Sequence, residues 1–599
     1  VVLSIAPADE LNSGAFYPNF SRTAGGSSTA LTWTPDGRSL VFVGRQGGVQ
    51  RLYVRALDSE RARPLEGTEG AQLPTVSADG KWVAFWVKGP ASTQHGSIRK
   101  VPLAGGTPTT VIDDVSGPTG MAWAGDRVFY GPADCGSAQY VICSAAPEHG
   151  STPVTKREIP KAQLPRHTLP HLLPDGRALL YTVRNTEAIW GDDQVVAHVF
   201  ATGEDKVLLE DAVGAHYLES GHLIFLRRGT LFGVEFDLSR MEITGTPIPV
   251  LDKVSQALRG SSENATGAGQ FSVASTGTLA WVRGEAVIGS NGEIVGVDRR
   301  GGILPLNVTK ESHGGLLGLS PDGRLLAGPR MGLKSIGMWI YDLDRGTSTK
   351  LEEEGKNNWP RWTPDGERVA FSNVSKGVLR IAWRKADGTG PLETLVNGYG
   401  APSSWSPDGR ELAFLSKADI YENSDIWIAT LRSGAVTIRP FFESPDQEWC
   451  PEFSPDGRWL AYTSNTTGQH EVYVQPYPGP GPRQQVSVGG GINPAWNPAG
   501  REIFFLSPLR DGTRAMMSVE VGLGHDLSIG SQRQLFKYTA LELSFGSFPN
   551  RPYAVAPDGR LFYVVKSAPS VPAAPVTQIG LITNWVEELK AKVAAGQAK

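Results

Sequence analysis

The sequence predicts an all-β fold: a β-propeller of about twelve four-stranded blades, naturally partitioned into two tandem six-bladed rings, with a short C-terminal helix. Three observations predict it. One phrase recurs along the 599 residues: an aromatic or apolar residue, then Ser/Thr-Pro-Asp-Gly-Arg, then an apolar alternation. The 71 glycines and 43 prolines supply many turns, while an apolar fraction of 40% is that of an ordered chain. Helical periodicity is confined to NWVEELKAKVAAGQAK near the C-terminus.

The phrase reads WTPDGRSLVFV at Trp33, VSADGKWVAFW at Val76, LLPDGRALLYT at Leu172 and LSPDGRLLAG at Leu319. It continues at Trp362, Trp405, Phe453, Trp496 and Val555, with degenerate copies at Ala122, Tyr217 and Val273. Within a copy, Pro presets φ for the first turn position, and Asp and Gly take positions that bond locally or need φ > 0. The alternation that follows, Leu412 and Phe414 against Glu411 and Ala413, is that of a strand with two unlike faces. A second strand type, such as MWIYDLD from Met338 and DIWIATL from Asp425, completes a unit of about four strands. The units are mostly about 43 to 51 residues apart, the period of a propeller blade.

The seam between rings is expected near Arg283 to Arg300, within VRGEAVIGSNGEIVGVDRRGG, which gives an N-terminal propeller over 1–285, a second over 286–583 and a helix or tail over 584–599; because three copies are degenerate, a single larger ring and a seven-plus-five split are the alternatives. VVLSIAP at the start and TQIGLIT from Thr577 are candidates to close a ring by pairing distant parts of the chain, which removes sheet edges.

The formal charge is −4 with acids and bases interspersed, which argues against nucleic acid as a partner. No apolar run reaches the ~18 residues of a membrane helix, and VVLSIAPADE lacks the basic and apolar regions of a signal peptide. Cys135 and Cys143 flank a short loop that a disulfide-closed hairpin can span, with free thiols as the alternative; Cys450 has no evident partner. Neither this cysteine set nor any acidic loop matches a zinc or EF-hand pattern, so no metal or cofactor is expected.

The [WF]-[ST]-P-D-G-[RK] phrase resembles the repeats of TolB and of propellers in prolyl-oligopeptidase-type enzymes. Over essentially the whole chain the resemblance is closer to the extracytoplasmic C-terminal region of bacterial membrane-anchored serine/threonine protein kinases with TolB-like propellers. LPRHTLPHLLPDGRALLYT from Leu164, the stretch from Ser220 to Leu251, and EVYVQPYPGPGPRQQVSVGGGINPAWNPAGREIFF from Glu471 carry it, with VVLSIAPADE and ITNWVEELK at either end. No glycine-rich phosphate loop, HRD or DFG motif is present, and no G-x-S-x-G elbow of an α/β-hydrolase. The resemblance therefore implies an excised sensor domain or a free-standing secreted relative, without kinase or hydrolase activity of its own.

The innermost strand of each blade leads into the Pro-Asp-Gly turn, so residues just before that turn are expected to line the channel or its rim. These are Asn357, Asn358, Trp359 and Arg361, then Ser403 and Ser404, then Gln447, Glu448 and Trp449, then Asn493, and finally Asn550 and Tyr553. Amides interleaved with Trp and Tyr suit a protein, peptide or glycan ligand, against the plainer reading of mutual satisfaction and ordered water. His167 and His171 lie four apart, with Pro170 between them arguing against a helix; His216 and His222 flank another strand, and His313 leads into the copy at Leu319. Backbone-bonded turn histidines are the plainer reading of these. The function expected is a non-catalytic, extracytoplasmic sensor or binding module, periplasmic or secreted, or anchored through a preceding segment. The alternatives are a lyase or hydrolase with histidines and carboxylates in the channel, and a TolB-like assembly scaffold.

Overall fold

In the computed structural model, described residues are 1–11, 28–89, 95–135, 138–146, 150–156, 165–185, 191, 193–256, 266–284, 292–308, 313, 316–332, 335–375, 378–398, 400–415, 425–432, 435–442, 444, 446–479, 481–510, 512–524, 527–539, 543–544, 550–567 and 575–597. The chain divides into two compact units, Val1–Ile288 with Ser570–Lys599, and Gly289–Pro569.

The first unit is a six-bladed propeller. Its innermost strands are Leu31–Trp33, Ala71–Val76, Gly120–Ala124, Pro165–Leu172, Val213–Leu218 and Phe271–Val273, each opening an antiparallel sheet of four or five strands. These strands lie side by side in order, and the last returns to touch the first. The sixth sheet is completed from both ends of the chain: Leu279–Trp281 pairs Gln578–Ile582, which pairs Val2–Ser4. The sequence-based span 286–583 differs here, because Gln578–Ile582 belongs to the first unit. Its apolar alternation marks it as a strand, but only the register Leu3↔Ile579 and Ala280↔Leu581 specifies whose edge it covers.

The second unit is likewise six-bladed, with innermost strands Gly318–Leu319, Lys356–Trp362, Ala401–Trp405, Glu448–Phe453, Ile492–Trp496 and Ala554–Val555. Its ring closes through Gly292–Asp298, paired along its whole length with Leu561–Ser567. A single parallel bridge, Ile336↔Lys356, joins the first two blades.

The turn that carries both the Ser or Thr and the Asp is a closed hydrogen-bond circuit. In six copies the Ser or Thr hydroxyl donates to the Asp Oδ1 at 2.5–2.6 Å. The same Asp oxygen accepts a backbone N–H two residues on, and the hydroxyl accepts the N–H five residues on. Gly follows Asp at a φ of 66–76° in all six copies, where other side chains are strained. These bonds, first the hydroxyl's and then the backbone's, hold the carboxyls of Asp36, Asp79, Asp322, Asp365 and Asp408 below the ordinary 3.8. A depressed carboxylate pKa adds stability above the ordinary value and loses it as pH falls through the folded one. Ser406→Ala is therefore expected to cost about 1 kcal/mol at neutral pH, and less near pH 3, by urea denaturation at both values.

The aromatic before the turn ties blade to blade. Trp33, Trp362 and Trp496 bury their rings, and each donates its indole N–H to a carbonyl of the neighbouring innermost strand: Ser272, Gly318 and Glu452, at 2.9–3.1 Å. The helix Trp585–Gln597 docks Trp585, Leu589 and Val593 into the first unit's core beside Leu231 and Val250. Gly233 faces it so closely that a Cβ there would lie 2.4 Å from Leu589.

A second recurring feature is a bulge in the innermost strand. Leu73, Leu169, Trp359, Cys450 and Asn493 all have φ of 52–55° and all precede a proline. Each sits at a shift in register, for example between Asn358 and Arg361, or between Trp449 and Glu452. Such a backbone costs about 1–3 kcal/mol per site, and bulges re-aim the residues that follow.

Candidate functional site

The centre of the first unit holds a cavity of about 350 Å³. Every blade contributes its innermost strand: Thr32, Thr75, Met121, His171, His216 and Ser272 all line it. Apart from the two imidazoles, no lining side chain among the described residues is acidic or basic. His171 and His216 face each other with ring centroids 4.7 Å apart, and His216 rests its other side against Phe271 at 5.2 Å. The backbone N–H of Tyr217 donates to Nε2 of His171 at 3.2 Å, so that nitrogen carries no proton. Burial lowers both imidazoles, His216 to about 4, and His171 is lowered further by His216 beside it. Both are neutral at physiological pH.

These shifts carry a pH dependence whose sign is defined. A histidine depressed in the folded state binds its proton more readily when unfolded, so stability falls as pH drops from 6.5 toward about 4. His216→Phe is expected to flatten that part of the stability profile. Denaturant midpoints measured at half-unit pH intervals on both proteins check it.

The second unit gathers a different set. Arg361 is buried, and its guanidinium donates to three carbonyls: Ser403 at 2.5 Å, Pro360 at 2.8 Å and Arg551 at 3.5 Å. The Ser403 hydroxyl donates to Oδ1 of Asn550 at 2.6 Å, and Asn550 Nδ2 donates to the carbonyl of Pro402 at 3.3 Å. Arg551 pairs with Glu452 at 3.0 Å and lies over the Tyr553 ring at 5.6 Å. The Tyr553 hydroxyl donates to the main-chain carbonyl of Asn493 at 2.8 Å. Arg361, Ser403, Asn493, Asn550 and Tyr553, five of the residues selected from sequence, thus come together with Arg551, Glu452 and Cys450, which sequence reasoning missed. The available signal was repeat phase: Arg361 and Glu452 each directly follow the proline of a bulge.

The other selected residues lie elsewhere. Asn357 donates to the carbonyls of Ile336 and Glu354 and accepts from Asn373, in a buried tie within its sheet. Asn358 and Trp359 are half-buried on the same strand. Glu448 accepts from Ser444 and Ser464, and burial pushes its carboxyl up. Trp449 packs edge-on against His470 at 5.1 Å, while the backbone N–H of Gln447 donates to Asn465. His167 bonds Thr155 and packs on Tyr181, and His313 bonds the Tyr341 hydroxyl. His167 and His171 are in the first unit and His313 in the second. Among the described residues, no three His, Cys, Asp or Glu side chains are grouped to hold a metal. Cys135 and Cys143 form a disulfide, and Cys450 is a buried free thiol. No described helix is long and apolar enough to cross a membrane.

No family model matches the chain. An uncharacterized protein of Agrobacterium fabrum is 28% identical over 174 residues, 27% of this chain and 58% of that protein. The peptidase YuxL of Bacillus subtilis, itself uncharacterized, is 23% identical over 180 residues, 23% of this chain and 27% of its own length. A tricorn protease homolog of Streptomyces coelicolor is 33% identical over 118 residues, covering 18% of this chain and 8% of that one. The chain thus spans just over half of the first relative and far less of the others. Among solved structures, a protein assigned as TolB in Agrobacterium tumefaciens is similar with a TM-score of 0.38 and 21% identity, over 47% of this chain and 99% of that one. TolB from Acinetobacter baumannii gives 0.23 and 12%, over 73% and 75%.

Proposed function

We propose that this chain is a non-catalytic binding module that receives a protein or peptide segment, or a glycan, at the mouth of its first propeller. One observation carries the reading: six innermost strands converge on a cavity whose polar groups, among the described residues, are uncharged: hydroxyls, backbone and two neutral imidazoles. Concave sites with a few fixed polar groups among apolar walls suit ligands recognised by shape and hydrogen bonding. A closed ring holds those groups rigidly, so the ordering cost of binding is small.

The Cys135–Cys143 disulfide supports an oxidising, extracytoplasmic setting. The sensor reading, with this module as the outer part of a receptor-type serine/threonine kinase, is supported by the sequence resemblance.

The test is selection of linear peptides from a display library on the purified protein, followed by fluorescence polarisation. Thr75→Trp with Ser272→Trp fills the cavity from two blades, and selected peptides are expected to bind this variant at least tenfold more weakly. Equal binding to both proteins, or no enrichment for either peptides or arrayed glycans, overturns the proposal.

A further inference from the structure

We propose that the centre of the second propeller is a binding site for a single carboxylate with an adjacent N–H donor, as at the C-terminal residue of a peptide, because Arg361 and Arg551 meet there with, among the described residues, only Glu452 to oppose them, and Asn493 is tied to the same cluster through Tyr553. The site is independent of the first unit's cavity.

Arg361 has no carboxylate partner among the described residues; its three bonds all go to carbonyl oxygens. Arg551 has one, Glu452, which is a single negative charge set against two positive ones. Cys450 and Tyr553 add none, since burial pushes the thiol up to about 12 and the phenol well above its usual value. A buried cluster with one uncompensated positive charge favours an anion.

Hydrogen bonding then narrows the ligand. Asn493 is completely buried, yet neither its side-chain nitrogen nor its side-chain oxygen has a partner. The Nε of Arg551 is also buried without one. Native proteins rarely leave such groups unsatisfied, so each calls for an explanation. The asparagine backbone and Arg551 both rest on Tyr553, the first through the phenol's hydrogen bond and the second through its ring face. The vacant groups are thus two donors, Arg551 Nε and Asn493 Nδ2, and one acceptor, Asn493 Oδ1. A carboxylate serves the donors, and a neighbouring amide N–H serves the acceptor. Side-chain exposures of 12% for Arg551 and 16% for Glu452 show that solvent still reaches this ion pair at the edge of the cluster.

The probe is N-acetylglycine, with N-acetylglycinamide and acetate as controls, each added to the whole chain at constant ionic strength while the thermal midpoint is followed. N-acetylglycine is expected to raise the midpoint in a saturable manner, acetate to bind about tenfold more weakly for want of the N–H, and the neutral amide to give no shift. Asn493→Asp keeps a residue that tolerates positive φ and supplies the missing negative charge itself. That variant is expected to be more stable than the parent and unresponsive to N-acetylglycine. A response equal for acid and amide, no response to the acid, or a full response in Asn493→Asp overturns the proposal. Should Asn493→Asp fail to fold, the acid-against-amide comparison on the parent protein decides the matter alone.

Discussion

Ile579→Asp is expected to destabilise the first propeller by about 4–5 kcal/mol, enough to unfold it in mild denaturant. Ile579 is fully buried in the core that joins the last blade to the first, packed with Trp33, Val43 and Ala280. Its strand is hydrogen-bonded on both sides, to Val2–Ser4 and to Leu279–Trp281, so a shift that freed the carboxylate would break both ladders. Gln578→Asp, one residue away on the exposed face, is expected to change stability by less than about 0.5 kcal/mol. Urea denaturation followed by tryptophan fluorescence, with limited proteolysis to locate the first cuts, separates the two. Early cleavage in Ile579→Asp should fall within Val1–Ile288 or Ser570–Lys599 rather than Gly289–Pro569.

Glu452→Ala is expected to cost about 3–5 kcal/mol in the second propeller, far more than loss of a surface ion pair. Glu452 is the carboxylate that opposes Arg551 and Arg361, and removing it leaves two guanidiniums in a poorly solvated centre. The cost should be non-additive. Combining Glu452→Ala with Arg551→Met is expected to recover at least half of the loss, because the second change removes the charge that the first left bare. Chemical denaturation of the two single variants and the double variant gives the coupling directly. Additive losses would show that Glu452 acts through packing alone.

Much of this architecture is legible in the residues because its determinants are local. The Ser/Thr-Pro-Asp-Gly turn closes its own hydrogen bonds within six residues, so Thr34 and Ser454 announce their hairpins wherever they occur. The degenerate copies at Ala122, Tyr217 and Val273 are placed by spacing, and the innermost strands Gly120–Ala124, Val213–Leu218 and Phe271–Val273 stand there. The central cluster of the second unit was only half visible. Amides and aromatics before the turn drew attention to Asn493 and Tyr553, while Asn357 and Glu448, chosen by the same rule, serve buried structural bonds. Alternation alone does not separate these, because the bulge at each left-handed residue changes which way the next side chains face.

By itself, then, the sequence determined the class of fold, the number of repeats and the form of the six Ser/Thr-x-Asp-Gly turns, since each of these depends on contacts within one blade. Tertiary structure decided which edges the strand Gln578–Ile582 covers and which charges meet at the second centre. Ring closure joins residues hundreds of positions apart, and a half-buried ion pair such as Arg551–Glu452 depends on the angle between blades, which no local pattern encodes.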